Sequence, residues 1–216
     1  MLAVRIRADN KALASAAPSF KHRLMKRIAL AGMFLLASCT TPRLADPQAQ
    51  FFGRLSALCG KAFEGRIVSP PVDADASFAG KRLAMHVRDC STETIRIPFH
   101  VGDDRSRTWV VTRTATGHRL KHDHRHADGS ADKVTQYGGD TRDPGTAARQ
   151  AFPADAFTKA LLRREGNAAG VANVWAIDVE SGRLFAYELR RPGRFFRVEF
   201  DLARPIPAPP PPWGAR

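Results

Sequence analysis

Four of the chain's seven histidines fall in one short run, His118-Arg119-Leu120-Lys121-His122-Asp123-His124-Arg125-His126. In an extended strand, successive side chains alternate between faces. His118, Leu120, His122, His124 and His126 then project to one side, and Arg119, Lys121, Asp123 and Arg125 to the other. Imidazoles two residues apart can both reach one ion, and zinc, copper and nickel all accept neutral imidazole. His122, His124 and His126 are therefore the candidate metal ligands, with Asp128 or a residue of another strand needed to close the site. The basic neighbours repel a cation, so the leading expectation is no bound cofactor, with zinc, copper or nickel as the alternative. In the plainer reading this is a polar hairpin arm running to an Ala127-Asp128-Gly129 turn, its histidines making surface hydrogen bonds. His86 and His100 stand apart and are expected to be wet.

A second set of side chains is apolar. Phe99, Trp109, Trp175, Phe185 and Tyr187, joined by Phe196, sit at alternating positions that predict inward-facing aromatic rings. They are the candidate ligand-binding residues of an apolar cup, and equally what a solid core requires. The sequence contains no Gly-x-Ser-x-Gly elbow, no His-Glu-x-x-His helix and no phosphate loop. No catalytic residue is assigned, and the remaining enzymatic reading is a hydrolase or metal-dependent enzyme built on the histidine arm.

The address of the chain is written near its start. Lys26 and Arg27 precede the apolar run Ile28 to Ala37, and small residues then lead to a cysteine in Leu36-Ala37-Ser38-Cys39. A span needs about 20 apolar residues, twice this run. A charged head, a short apolar stretch and a small-residue cleavage site in that order make an export signal. The four residues resemble the bacterial lipobox. That resemblance implies cleavage before Cys39, lipidation of Cys39, and a membrane partner reached through the lipid. By the sorting associated with such lipoproteins, the non-acidic Thr40 implies an outer-membrane lipoprotein facing the periplasm. Met25 opens a compact Met-Lys-Arg signal, so translation is expected to start there rather than at Met1.

The leader carries seven basic residues against Asp9, so the formal charge of +13 falls to about +7 from Cys39 onward. An exported protein does not meet chromosomes or ribosomes, so no nucleic-acid partner is expected. Anionic envelope polymers or headgroups fit the remaining charge, as does a solvated surface of mixed sign. With Cys39 taken by lipid, Cys59 and Cys90 are an even pair in an oxidising compartment and are expected to form a disulfide contributing about 3 kcal/mol.

The chain divides into a leader and signal over 1–38, a tether over 39–45, a single domain over 46–204 and a Pro-rich tail over 205–216. Asp46 offers an N-cap, Pro47 suits a first helical turn, and Phe51, Phe52, Leu55 and Leu58 fall at helical spacing before Gly60. Ala62 to Val68 is a first strand. From Arg82 the rhythm is period two: Leu83, Met85 and Val87, then Ile95, Ile97 and Phe99, alternate with more polar residues. Turn signals recur near Asp89–Thr92, Gly102–Arg105, Ala115–Gly117 and Ala127–Gly129. Asp140 to Gln150 reads as an irregular excursion. A short helix follows Pro153, with Phe157, Ala160, Leu161 and Arg164 on one face and Gly166 as its stop. Three strands, Asn173–Glu180, Arg183–Arg190 and Arg194–Leu202, close the domain through Ser181-Gly182 and Pro192-Gly193 turns.

The fold expected is mostly β, an antiparallel meander closing as a calycin-like barrel or a sandwich, with two short helices. In architecture it resembles the lipocalin and fatty-acid-binding barrels, although the lipocalin Gly-x-Trp motif has no match in Gly60–Val68. It is also similar to secreted and lipoprotein sequences of proteobacteria, a likeness that implies no activity. The barrel resemblance implies a cup holding one small apolar molecule. The function expected is thus a lipid-anchored, non-catalytic binding module for a small apolar or amphipathic molecule. The alternatives are a structural or interaction lipoprotein contacting another envelope protein, and a histidine-mediated metal binder.

Overall fold

A computed structural model describes residues 46–215. The export signal, Cys39, the tether and the alternative starts at Met1 and Met25 lie outside the described residues.

Alternating apolar residues build eleven strands: β1 (Ala62–Ile67), β2 (Leu83–His86), β3 (Asp89–Cys90), β4 (Thr94–Val101), β5 (Asp104–Thr114), β6 (Gly117–His124), β7 (Tyr137–Asp140), β8 (Arg149–Pro153), β9 (Val174–Glu180), β10 (Leu184–Arg191) and β11 (Arg194–Ile206). They form one antiparallel sheet in the order β7-β6-β5-β4-β2-β1-β11-β10-β9-β8, with β3 pairing β4 off that path. The predicted meander is therefore present, and the sheet curls into a nearly closed barrel. Its inner face is a continuous core that includes Met85, Ile95, Ile97, Trp109, Val111, Ile177, Val179, Phe185, Val198 and Phe200.

The two ends of the path, β7 and β8, meet through the start of a helix, α2 (Ala156–Arg164). The Asp155 N–H donates to the Gly138 carbonyl at 3.0 Å. The Thr158 hydroxyl donates to that carbonyl at 2.8 Å and accepts from the Gly138 N–H at 2.7 Å. Backbones approach so closely here that a Cβ on Gly139 would overlap the Pro153 carbonyl oxygen. The Gly138-Gly139 pair thus makes the seam possible, because only glycine leaves room for this approach.

The other helix, α1 (Pro47–Ser56), begins as predicted, with the Asp46 side chain accepting from the Gln48 N–H. It buries Phe51, Phe52 and Leu55. Arg113 near the end of β5 lies 4.5 Å over the Phe52 ring, and His118 near the start of β6 stacks on it at 5.6 Å. Arg54 donates to the Val179 carbonyl near the end of β9 at 3.2 Å. These contacts fix α1 as the plug of one end of the barrel. Cys59, just past α1, and Cys90 in β3 form the expected disulfide, with Cα atoms 6.3 Å apart.

The structure corrects several expectations. Arg149–Pro153, whose first two residues lie inside the expected excursion, is strand β8 paired with β9. Its Gln150 is buried because its amide donates to the Pro144 and Thr146 carbonyls. Strand β11 runs on through Pro205 and Ile206, which pair with Phe63 and Ala62, so the tail begins after Ile206. In α2 the buried side chains are Thr158, Leu161 and Leu162. Phe157 is 55% exposed, with the Lys121 ammonium 5.1 Å over its ring. Docking of Thr158 on Gly138 fixes the helix's rotation, which the apolar spacing could not. His100, expected wet, is 4% exposed.

Candidate functional site

With α1 plugging one end, the opposite end of the barrel is where the strands could leave a cup. A cavity of about 290 Å³ opens there. It is framed by the start of β5, the end of β6, the start of β7, the start of β9, the end of β10 and the start of β11. Four of the five candidate ligand-binding residues line it: Phe99, Trp109, Trp175 and Tyr187. The fifth, Phe185, does not. It is fully buried with its ring 6.0 Å from that of Trp109, and so belongs to the core under the cup.

The rings form a connected wall. Phe99 stacks on Trp109 at 4.7 Å, and Trp109 on Tyr187 at 4.4 Å. Phe196 lies 5.1 Å from Phe78, which is carried in by a 3-10 helix over Asp73–Phe78. On the far side Tyr137 stacks on His122 at 4.4 Å and lies 5.6 Å from Trp175. Stacked and tilted rings at these separations are each worth about 1 kcal/mol beyond their buried area.

The histidine arm is split by this geometry. His122 is buried, with Nδ1 3.1 Å from the Tyr137 carbonyl oxygen and Nε2 2.8 Å from the Tyr187 hydroxyl. A carbonyl only accepts, so Nδ1 carries the proton and Nε2 accepts from Tyr187. Both ring nitrogens are thereby engaged. His124 Nε2 shares a hydrogen bond of 3.1 Å with the Tyr137 hydroxyl. His126 lies past the end of β6, its side chain 57% exposed and 3.9 Å from Asp132. His118 is at the other end of the barrel against Phe52. Among the described residues, no group of three or more His, Cys, Asp or Glu side chains is placed to hold a metal ion. His122, His124 and His126 therefore do not converge here.

Burial sets the protonation of the cup's polar groups. It pushes the His122 pKa down to about 3, helped by His124, and that of His124 down to about 4, helped by Arg107. Burial also raises the Tyr137 and Tyr187 phenols. All four are neutral near pH 7, so they act as hydrogen-bonding groups rather than as charges.

The charged part of the lining was not foreseen. Arg107, Arg191, Arg194 and Asp132 reach the cavity, with Asn167 and Asn173 beside them. Arg107 is paired with Asp104, and Arg194 with the buried Asp75. Arg191 donates to the Asn173 side-chain oxygen at 3.0 Å. The arginines come from three separate strands and Asp132, Asn167 and Asn173 from the loops between elements, and no local pattern marks them. A cup with ring-lined walls, neutral hydrogen-bonding groups and a charged mouth can hold a small guest with an apolar body and a polar end. Comparison with family models, with curated proteins and with solved structures finds no match to this chain.

Proposed function

We propose that the protein is a non-catalytic binding module that holds one small apolar or amphipathic molecule in its cup, displayed from the cell envelope on a lipidated Cys39. The observation that supports the binding role is the cavity of about 290 Å³ whose lining includes the stacked rings of Phe99, Trp109 and Tyr187 together with Trp175. The lipobox-like residues alone support the address. At about 290 Å³ the cavity would hold about ten waters, each occupying about 30 Å³. A one- or two-ring molecule or a short acyl chain suits that space, and a two-chain lipid does not.

Trp109 and Trp175 face the cavity, so intrinsic fluorescence reports on its filling. Titrating the full chain with 1-naphthalenemethanol should quench tryptophan emission saturably. Trp109→Leu should reduce that change, leaving the part reported by Trp175. A linear, unsaturable response that is the same in both proteins would refute the binding role and favour a structural lipoprotein.

A further inference from the structure

The three arginines at the mouth are not equivalent. Arg107 and Arg194 each face a carboxylate, of Asp104 and Asp75 respectively. Arg191 is held instead by the neutral Asn173 oxygen, and no carboxylate of the described residues forms an ion pair with it. The remaining charge on the lining, Asp132, is turned to its own loop, where it accepts from the Val134 N–H at 2.7 Å and lies 3.9 Å from His126. His124, Tyr137 and Tyr187, which also face the space, are neutral. Arg191 is thus a positive charge without an ionic partner at the mouth of an aromatic cavity.

We infer that the cup selects a small aromatic acid, its ring among Trp109, Tyr187 and Phe196 and its carboxylate on the free donors of Arg191. The inference rests on the binding role proposed above. A guanidinium presents a planar fork that matches a carboxylate two bonds at a time, and a charge-assisted bond is stronger than a neutral one. Aromatic walls also suit a cation through their ring faces. Here, however, three arginines face any cation that enters, with Asp132 as the lining's own carboxylate against them. The Asn173 oxygen orients Arg191 while leaving its charge unneutralised, which an acidic partner would not do.

The test is calorimetric titration of the full chain with three probes of one shape: 1-naphthoate, 1-naphthalenemethanol and 1-naphthylmethylammonium. Naphthoate is expected to bind at least about tenfold more tightly than the alcohol, the scale of one charge-assisted hydrogen bond. The ammonium is expected to bind most weakly. In Arg191→Gln the acid-to-alcohol ratio should fall towards one. In Arg82→Gln, an exposed change on another face, it should stay as in the wild type. Alcohol and acid binding equally, or the ammonium binding best, would overturn the selectivity and leave the cup standing. Failure of all three probes to bind would overturn the binding role and this inference together. A preference for the acid that persists in Arg191→Gln would move the anion site away from Arg191 and overturn the assignment.

Discussion

Acid should weaken this fold well above the range in which carboxylates protonate, and His122 shows why. An imidazole in the unfolded chain titrates near 6.5, whereas burial holds His122 down to about 3 in the native state. Between those values the unfolded state binds a proton that the folded state refuses. Stability is therefore complete above about pH 6.5 and is lost progressively as pH falls towards 3. At pH 5 the gap to the unfolded value is about 1.5 pH units, so His122 alone costs about 2 kcal/mol relative to pH 8. His124, held down to about 4, adds a similar amount, because pH 5 lies above both native values. Together they remove about 4 kcal/mol, a large part of a typical domain's 5 to 15 kcal/mol. Burial also lowers His100 and His118, so they act in the same direction. The lowered carboxylates Asp104, Asp123 and Asp155 lose their contribution only at more acid pH. The assay is urea unfolding at pH 8 and pH 5 for the wild type and His122→Gln. The Gln amide keeps an acceptor for the Tyr187 hydroxyl and a donor for the Tyr137 carbonyl but does not titrate, so the variant's pH 8-to-5 difference should be smaller by about 2 kcal/mol. Equal pH differences in the two proteins would refute the reasoning.

Reducing the Cys59–Cys90 bond, which closes a loop with a sequence separation of 31, should lower unfolding stability by about 3 to 4 kcal/mol on the chain-entropy estimate. Urea midpoints with and without reductant check this, and unchanged midpoints would contradict it. Gly139→Ala places a methyl on the Pro153 carbonyl at the seam. It should cost more than about 3 kcal/mol and expose amides of β7 and β8 to hydrogen exchange before those of β4 and β5.

The strands were legible wherever apolar residues alternate over several positions, as in Ile95-Arg96-Ile97 or Phe196-Arg197-Val198. In β8 the alternation is carried by Gln150 and Phe152, and a buried Gln carries no apolar signal. Its burial depends on the Pro144 and Thr146 carbonyls, which only the folded loop supplies. The histidine arm shows the same limit. Alternation placed His118, Leu120 and His122 on one face, but that face is buried rather than at the surface, and their chemistry is set by partners remote in sequence. His122 meets Tyr187 across 65 residues, and that hydroxyl engages its second nitrogen. Five of the cup's aromatic residues, Phe99, Trp109, Trp175, Tyr187 and Phe196, were readable as inward rings. Phe185 was readable only as inward, because its depth below Trp109 depends on how the strands tilt. The arginines were invisible as a set: 107, 191 and 194 become neighbours only when the sheet curls and β5 faces β10 and β11.

A barrel of this size has the aromatic side chains to fill itself, so the open mouth calls for a cause. At the α1 end the filling comes from outside the meander, since Phe51, Phe52 and Leu55 are delivered by a separate helix and held by His118, Arg113 and Arg54. At the mouth end a 3-10 helix brings Phe78 and α2 brings Leu162 to the wall, and the cavity remains between them. There the inward positions carry Tyr187, His122, Tyr137 and His124, whose polar atoms must be satisfied and therefore hold their rings at fixed separations. A Phe at 122 and a Leu at 137 would be free to collapse into the space. A hydrogen-bonded Tyr-His pair is not, because moving either ring leaves a buried donor or acceptor unpaired, at about 1 to 3 kcal/mol. Arg107, Arg191 and Arg194 keep the rim wet for the same reason. The cup is thus held open by polar groups within its aromatic wall, and a guest that supplies an apolar body below and a carboxylate above would fill it without breaking any of their bonds.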